Sequence, residues 1–465
     1  MATAALILAA GKGTRMKSDL VKVMHELEGR PMITYPVTAA KALGAERFAL
    51  VVGHQADRVR EYYAADATIS IVLQEEQLGT GHAVACAGEF LAGCDGDVLI
   101  LCGDVPLITQ ETLRSLMAVH VAHGGTVTVL TARLADPLGY GRVIKDATGR
   151  VLRIVEQKDA TIAEREVTEI NSGIYCVNAA FLRDAVMKIS NDNAQKEYYL
   201  TDIIGLATGQ GHACYTHTVG DPAEVMGIND RVQMAAAGAV LRRRINESLM
   251  LSGVTIIDPA VTYIQQGTII GRDTVIYPNS FIGNCTVIGQ GCVIESSVTI
   301  TGCRLADRVH IKAGSVLEEA IVMSDTTVGP MAHLRPGTLL KEHVKIGNFV
   351  ETKKAVIEER SKASHLTYLG DCFVGKDVNI GCGTITCNYD GKKKHATVIE
   401  DGVFIGSDVQ LVAPVTVGKN SLVAAGTTVT MDVPPDSLVI SRVPQVNKEG
   451  WTKKKQLKTE RPCVE

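Results

Sequence analysis

The sequence predicts an α/β protein with three successive parts: a doubly wound, Rossmann-like domain, a long connecting helix, and a left-handed parallel β-helix built from hexapeptide repeats. Three observations predict this order. Short apolar runs alternate with helical patterns in the first half, a long stretch without proline follows, and an aliphatic residue then recurs at every sixth position. We expect the parts to span residues 1–228, 229–252 and 253–465.

The most regular pattern is an isoleucine at every sixth residue in the second half of the chain: Ile264, Ile270, Ile276, Ile282, Ile288, Ile294 and Ile300. A period of six is typical of a coil with three flat faces, in which one aliphatic side chain per face stacks inside a prism. Small residues two places earlier, such as Thr274, allow tight turns between faces. The phase shifts after Ile300, and the pattern predicts that it returns at Leu317 and Met323.

The first half of the chain alternates strand-like and helix-like segments. Apolar runs at 4–8, 48–52, 98–101 and 126–130 are separated by helical patterns that include 32–43 and 110–120. This alternation indicates a doubly wound, parallel sheet. Asn229 or Asp230 is a suitable N-cap for one long helix that Gly253 would end, roughly 33 Å in length at 1.5 Å per residue. The lysine-rich tail from Val446 onward is expected to be loosely ordered.

Bulk composition excludes several classes of protein. The net charge of −4 gives no electrostatic argument for a nucleic-acid partner. No stretch approaches the roughly 20 apolar residues of a membrane span, and the apolar start at 4–10 reads as a strand rather than a signal peptide. The 12 cysteines are scattered without a Cys-x-x-Cys pair. They indicate reduced thiols, so we expect a cytoplasmic protein that does not insert into membranes.

A glycine-containing loop follows the first strand. Gly11 and Gly13 let backbone N–H groups approach a phosphate, and Lys12, Arg15 and Lys22 add positive charge. The loop matches neither the Walker motif nor the Rossmann fingerprint, so by itself it is weak evidence for a nucleotide site.

A second candidate lies at the end of a later apolar strand, where Asp104 is suited to holding Mg²⁺ between phosphates. An aspartate that only caps the next turn is the alternative there.

Several strings of the first domain resemble the sugar-nucleotide pyrophosphorylases. They are the loop 8–16, the stretch 74–82, the segments 139–142 and 169–173, Glu156, and 227–229. Over residues 4–452 the chain resembles one family, the bacterial bifunctional N-acetylglucosamine-1-phosphate uridyltransferases and glucosamine-1-phosphate acetyltransferases. It departs from that family at Val21, where proline is usual, and at Cys102, where tyrosine is common. Neither change removes a charged group.

The resemblance implies a uridyltransferase site in the first domain. The substrate-binding residues would be Leu8, Ala9, Ala10, Gly11, Gly13, Arg15, Lys22, Gln74, Gly79, Thr80, Cys102, Gly103, Asp104, Gly141, Glu156, Asn171 and Asn229. Asp104 and Asn229 would hold Mg²⁺. A phosphate oxygen of the sugar 1-phosphate would attack the α-phosphorus of UTP, and pyrophosphate would leave without a protein nucleophile.

A cluster of polar residues interrupts the hexapeptide pattern within a few turns of the coil. It includes Arg335, Lys353, His365 and Tyr368. A lone histidine on a coil is usually structural, but two cations and a tyrosine beside it favour a second active site. A metal-dependent use of His310, His333 and His343 is the alternative; their spacing does not match a β-helical metalloenzyme convincingly.

For this second site the resemblance implies that His365 is the general base for acetyl transfer from acetyl-CoA to glucosamine 1-phosphate. Arg335, Lys353, Tyr368 and Asn379 would bind the sugar phosphate. The acetyl-CoA groove would be lined by Cys382, Asn388, Tyr389, Ser407, Ala425 and Arg442, with Cys382 replacing the family's usual alanine. The resemblance also implies a homotrimer, with the loop 388–395 reaching a neighbouring copy.

The sequence therefore favours a two-site enzyme that makes UDP-N-acetylglucosamine. A nucleotidyltransferase whose β-helix only regulates or assembles the protein is the second hypothesis, and Arg335, Lys353, His365 and Tyr368 speak against it. A non-enzymatic assembly protein is the third. The charged and metal-binding positions of the first domain speak against that one.

Overall fold

The computed structural model describes residues 4–53 and 55–459. The chain forms two compact units, which meet between Arg244 and Ile245. The outermost residues of our predicted first and third parts, 1–3 and 460–465, lie outside the described residues. No helix in the described ranges is long and apolar enough to cross a membrane.

The first unit contains strands β1 to β11 and helices α1 to α8, with the start of α9. The strands are Ala4–Ala9, Glu26–Leu27, Arg30–Pro31, Arg47–Val52, Ile69–Leu73, Asp97–Cys102, Val127–Arg133, Arg142–Lys145, Val151–Val155, Glu169–Asn178 and Cys214–Thr218. The helices are Thr34–Ala42, Ala56–Tyr62, Thr80–Cys86, Gly88–Ala92, Gln110–Ala122, Ile162–Arg165, Ala179–Val186, Asp202–Gly209 and Arg231–Leu251.

The main sheet has the strand order β11-β7-β10-β6-β1-β4-β5. Its pairs are parallel except around β10, which runs antiparallel to β6 and β7. Alternate side chains of β1 enter two cores, Leu6 on one face and Ile7 on the other. Helices cover both faces for this reason, as in doubly wound sheets. The predicted fold class is confirmed, and the antiparallel β10 is an addition that the apolar pattern did not reveal.

Helix α9 begins at Arg231, directly after Asp230, which is one of the two predicted N-caps. The Asp230 carboxylate accepts the Gln233 N–H at 2.8 Å and so caps the first turn. In the first unit, Ala237 and Leu241 pack on residues that include Met32 and Leu107. In the second unit, the buried Asn246 side chain donates to two backbone carbonyls of the first coil. The helix therefore contributes to the core of each unit.

The second unit is a coil of 26 short strands from Thr255–Ile256 to Leu438–Val439, each paired mainly with the strand three positions further along the chain. Ile270 lies beside Ile288 and Ile276 beside Ile294, so the first four predicted isoleucines each stack on the one 18 residues later. These side chains are buried, as the period of six predicts. The buried Thr274 hydroxyl donates to the Gly289 carbonyl at 2.8 Å and ties neighbouring turns together.

The prediction for Met323 is wrong by one residue, because Val322 is the buried side chain there. Between Ile288 and Leu305 a turn takes 17 residues instead of 18, and the same shortening recurs between Leu305 and Val322. Each lost residue moves the buried position one place toward the amino terminus. In the tail, Trp451–Thr459 forms a helix, α10, and the ammonium of Lys448, which precedes this helix, lies over the Trp451 ring.

Candidate active sites

A cavity of about 520 Å³ opens at the carboxyl ends of β1 and β6 in the first unit. Open α/β sheets bind ligands at this edge. Eight predicted residues line it: Leu8, Ala10, Gly11, Gln74, Gly79, Thr80, Cys102 and Asp104. Lys12, whose charge we expected at a phosphate, lines it as well. The other lining residues, Thr14, Gln77, Ala83 and Glu197, were not predicted. Ala9 is buried, and Gly103 packs against it.

The glycine-containing loop after β1 requires glycine at position 13. Gly13 has a φ of 60°, and a Cβ there would lie 2.7 Å from the Lys22 Cβ. A side chain would therefore be strained and would displace Lys22. Arg15 is exposed in the short turn that follows.

The Lys22 ammonium lies between two of the predicted ligands. It donates to the Asp104 carboxylate at 2.5 Å and to the Asn229 amide oxygen at 3.3 Å. Backbone contacts fix this arrangement, since the Ile228 N–H donates to the Asp104 carbonyl at 2.9 Å. One carboxylate oxygen and one amide oxygen thus face a common cation position, although the two residues are far apart in sequence.

The loop that follows β5 forms another part of the cavity wall. Gly79 has a φ of 109°, and a Cβ there would lie 2.6 Å from the Tyr198 carbonyl. The Gln74 side chain is buried and donates to the Gly79 carbonyl at 3.1 Å. The Thr80 hydroxyl accepts the Leu200 N–H at 3.1 Å, which ties the start of α3 to the segment before α8.

Glu156 lines a second cavity, of about 490 Å³. A Cβ on Gly141 would lie 3.2 Å from its carboxylate, and the Asn171 N–H donates to the Gly141 carbonyl at 2.9 Å, so these three predicted residues are adjacent. Burial, together with the nearby charges of Asp159 and Asp202, raises the pKa of the Glu156 carboxyl.

Sequence reasoning missed the partners of Glu156 in this cavity: Asp159, Tyr199, Thr201 and Asp202. The polar and aromatic string 197–202, directly before α8, was the available signal. This string carries no glycine and resembles an ordinary helix start, so its sequence did not indicate a binding site.

In the second unit, the strands Lys345–Ile357 and Lys362–Val374 run side by side for 13 residues each. Their register places Glu351 opposite Tyr368. The Arg335 guanidinium donates to the Glu351 carboxylate at 2.7 Å. The neighbouring Lys394 ammonium, followed by the Arg335 charge, lowers the pKa of Lys353. Three predicted sugar-phosphate residues, Arg335, Lys353 and Tyr368, therefore form one cationic cluster.

His365 lies on the strand Lys362–Val374, opposite Asn348 on the strand Lys345–Ile357. Its Nδ1 is 2.9 Å from the Asn348 Oδ1, so a neutral imidazole with its proton on Nδ1 leaves Nε2 free to accept one. Asn348 was not predicted. The predicted Asn379 belongs to a different column of the coil, opposite Lys362 and Phe404.

The predicted acetyl-CoA residues occupy two places. Cys382, Ser407 and Ala425 stack on successive turns: the Cys382 carbonyl accepts the Asp408 N–H at 2.7 Å, and the Ser407 carbonyl accepts the Gly426 N–H at 2.8 Å. The Arg442 guanidinium donates to the Ala425 carbonyl at 2.9 Å. Asn388 instead joins the sugar cluster, 3.5 Å from the Tyr368 hydroxyl, and the exposed Tyr389 follows it.

Comparison with known proteins assigns the two units separately. Residues 4–221 match the nucleotidyl transferase family. Residues 252–352 match the LbH domain of the EIF2B epsilon subunit, and residues 396–430 match the bacterial transferase hexapeptide family.

Full-length relatives decide the family. The bifunctional protein GlmU of Geotalea daltonii is 62% identical over 448 residues, covering 96% of this chain and 98% of that protein. The GlmU of Geotalea uraniireducens is 62% identical over 453 residues, and that of Shouchella clausii is 49% identical over 450. This chain belongs to the GlmU family. It is a bifunctional transferase with a uridyltransferase and an acetyltransferase activity, by which UDP-N-acetylglucosamine is made from small-molecule substrates.

Proposed function

We propose that uridylyl transfer takes place in the cavity at the carboxyl ends of β1 and β6, and acetyl transfer beside His365 on the coil. The observation that carries this assignment is that each unit brings charged side chains from distant parts of its sequence together. Lys22 meets Asp104 and Asn229 in the first unit, and Arg335, Lys353 and Lys394 gather in the second. We further propose that the functional division follows residues 1–228, 229–252 and 253–465.

For uridylyl transfer, the loop N–H groups, Arg15 and Lys22 would hold the phosphates of UTP. Gln74, Gly79 and Thr80 would hold the uracil, while Gly141, Glu156 and Asn171 would bind the sugar. A phosphate oxygen of N-acetylglucosamine 1-phosphate attacks the α-phosphorus, and the bond to the β-phosphate oxygen breaks to release pyrophosphate. Fixed positions and neutralised charge supply the catalysis.

The residues around Lys22 fit Mg²⁺, because a carboxylate oxygen and an amide oxygen are ligands that this ion prefers. We propose that Asp104 and Asn229 hold it, with Lys22 turning toward the phosphates. When bound, the ion would neutralise phosphate charge at the reacting centre.

For acetyl transfer, His365 would take a proton from the glucosamine amine through Nε2, because Asn348 occupies Nδ1. The amine nitrogen then attacks the thioester carbonyl, the carbon–sulfur bond breaks, and coenzyme A leaves as the thiol. Arg335, Lys353, Tyr368 and Asn379 would hold the sugar phosphate. Cys382, Asn388, Tyr389, Ser407, Ala425 and Arg442 would line the acetyl-CoA groove.

We propose a homotrimer built on one face of the coil. The outward positions of that face, Ile269, Val287, Arg304, Ile321, Leu339, Val356, Phe373 and Val398, stand in register and are apolar except for the arginine. Ile269 and Phe373 expose 63% and 41% of their surface in the single chain. An apolar stripe of this length favours contact with further copies.

Sedimentation tests the trimer. The double substitution Ile321→Asp and Phe373→Asp is expected to give monomers at micromolar concentration, because two charges would be buried at the contact. Phe281→Asp, in a different column of the coil, is the matched control and should leave the trimer intact. A trimer that survives the double substitution would place the contact on another face.

We also propose a cytoplasmic location, since UTP and acetyl-CoA are cytosolic metabolites. The cysteines of the described ranges are free thiols, which suits a reducing compartment.

The activity assignment is tested by mixing purified protein with glucosamine 1-phosphate, acetyl-CoA, UTP and Mg²⁺, followed by mass spectrometry. The full mixture should yield UDP-N-acetylglucosamine. Omission of UTP should stop the reaction at N-acetylglucosamine 1-phosphate, and omission of acetyl-CoA should leave glucosamine 1-phosphate unchanged. A UDP-sugar formed without acetyl-CoA would contradict the proposed order of steps.

A further inference from the structure

The side-chain amide of Gln74 lies in the wall of the uridyltransferase cavity with both of its hydrogens directed to protein atoms. Its Nε2 is 3.1 Å from the Gly79 carbonyl and 3.0 Å from the His82 Nδ1. The side chain is only 3% exposed. A buried amide with these two contacts has one defined orientation.

The Gly79 carbonyl decides which way the amide is turned. A backbone carbonyl only accepts hydrogen bonds, so the atom beside it must be the NH₂ group and not the amide oxygen. The same NH₂ group then faces the His82 Nδ1, which must act as an acceptor and carry no proton. The His82 proton therefore sits on Nε2, which faces the Cys86 sulfur at 3.8 Å. The amide oxygen of Gln74 is the end left for a ligand.

We propose that His82 is a positioning residue for nucleotide selection, which holds the Gln74 amide so that its oxygen faces the base. This inference rests on the proposed uridyltransferase site. Uracil carries an N–H at ring position 3, which an amide oxygen can accept. Cytosine has a bare, accepting nitrogen at that position, so the same oxygen repels it. A site whose polar group is fixed rejects the wrong partner more strongly than a site whose group can rotate.

His82 raises the cost of rotating the amide. With both acceptors present, a rotated amide would direct its oxygen at the Gly79 carbonyl and at the His82 Nδ1 lone pair. Without His82, only the Gly79 contact opposes rotation, and the amide could offer its NH₂ group to cytosine. Rotation would both break the hydrogen bond to His82 and set two lone pairs against each other, which together correspond to about tenfold in an equilibrium constant. We therefore expect discrimination between UTP and CTP to fall by about tenfold.

The experiment measures kcat/KM for UTP and for CTP with full-length protein, N-acetylglucosamine 1-phosphate and Mg²⁺. His82→Phe keeps a ring and removes the acceptor, whereas His82→Gln retains an accepting oxygen on a flexible side chain. The UTP-to-CTP ratio should fall by about tenfold in His82→Phe and recover in part in His82→Gln. The loss with UTP should appear mainly in KM, because His82 does not touch the reacting phosphates. Thermal unfolding followed by circular dichroism on the same samples serves as the check on folding of the first unit, which contains His82.

Three results would overturn the proposal. Equal losses with UTP and CTP would mean that His82 only supports the loop, and an unchanged ratio would mean that Gly79 alone holds the amide. A wild-type protein that acetylates but does not use UTP would remove the proposed uridyltransferase site and this inference with it. If His82→Phe unfolds the first unit, His82→Ala takes its place and is judged by the same ratio.

Discussion

Asp104 carries the charge on which uridylyl transfer depends in the proposed mechanism. Asp104→Ala is expected to lower the uridylyl-transfer rate by more than about 100-fold, because the metal loses a carboxylate ligand and the triphosphate loses charge neutralisation. Asp104→Asn should recover only a small part, since a neutral amide binds Mg²⁺ weakly. Coupled assays of both activities on each variant provide the measurement.

Acetyl transfer should be unchanged in both Asp104 variants. Asp184→Asn, an exposed carboxylate in the same unit, is the matched control and should retain both activities. Equal loss of both activities in Asp104→Ala would show instead that Asp104 supports the fold.

In the second unit, His365 is the residue on which acetyl transfer depends in the proposed mechanism. His365→Ala should reduce acetyl transfer by about 10² to 10⁴-fold, the usual effect of removing a general base. Uridylyl transfer and acetyl-CoA binding should persist, as measured by product assay and calorimetry. Acetyl transfer by the mutant should keep only the pH dependence of the substrate amine, because the base is gone. Near-normal acetylation by the mutant would transfer the role to Tyr368 or a bound water.

Glu156, a proposed sugar-binding residue, should also affect the stability of the first unit against unfolding. Its pKa is raised by burial and by neighbouring carboxylates, so the folded protein favours the protonated form. The wild type therefore loses stability as pH rises from the ordinary glutamate range through the raised pKa. Glu156→Gln should increase the unfolding temperature of the first unit at pH 8, with the gain disappearing toward pH 4.

Differential scanning calorimetry at both pH values measures this effect. Glu166→Gln, at an exposed glutamate, is the control and should show no such difference. A gain of equal size at pH 4 and pH 8 would rule out the ionisation of Glu156 as the cause.

Among the elements, the coil around His365 depends on close contact between successive turns. A Cβ on Gly347 would lie 1.8 Å from the Ser364 carbonyl, next to His365 in sequence. Gly347→Ala should therefore destabilise the second unit by about 1–3 kcal/mol or more and reduce acetyl transfer. Thermal unfolding followed by circular dichroism, together with the acetylation assay, tests this.

Gly283 provides the matched control for this element. It also follows a buried isoleucine, but a Cβ there would meet the Thr301 methyl at 3.2 Å, which can rotate away. Gly283→Ala should cost much less stability. Similar losses in the two variants would mean that glycine flexibility, rather than the approach of the next turn, governs this position.

At the scale of the whole molecule, the two activities should separate when the chain is divided after α9. A fragment of residues 1–252 should fold and retain uridylyl transfer to N-acetylglucosamine 1-phosphate, with no acetyl transfer. A fragment of residues 1–230 keeps Asn229 but lacks the helix whose Ala237 and Leu241 pack on Met32 and Leu107. It should unfold at a lower temperature. Loss of uridylyl transfer by a folded 1–252 fragment would show that this activity needs the second unit.

The sequence by itself determined the two architectures and predicted polar residues that the structure brings together in each unit. A period of six predicts a three-faced prism because each face has room for one inward side chain per turn. A glycine pair between a strand and a following turn predicts phosphate binding because only glycine leaves the backbone N–H groups accessible there. Both arguments use neighbours in sequence, so a linear pattern contains them.

The tertiary structure alone decided which side chains act together. Val322 replaces Met323 in the core because the step from Leu317 to the next buried position is five residues and not six. Asn348 meets His365 through a 17-residue register. The pKa of Glu156 is raised by burial and then by nearby carboxylates, which include Asp202 on α8. Such contacts depend on how distant segments pack, and a local sequence pattern does not contain that information.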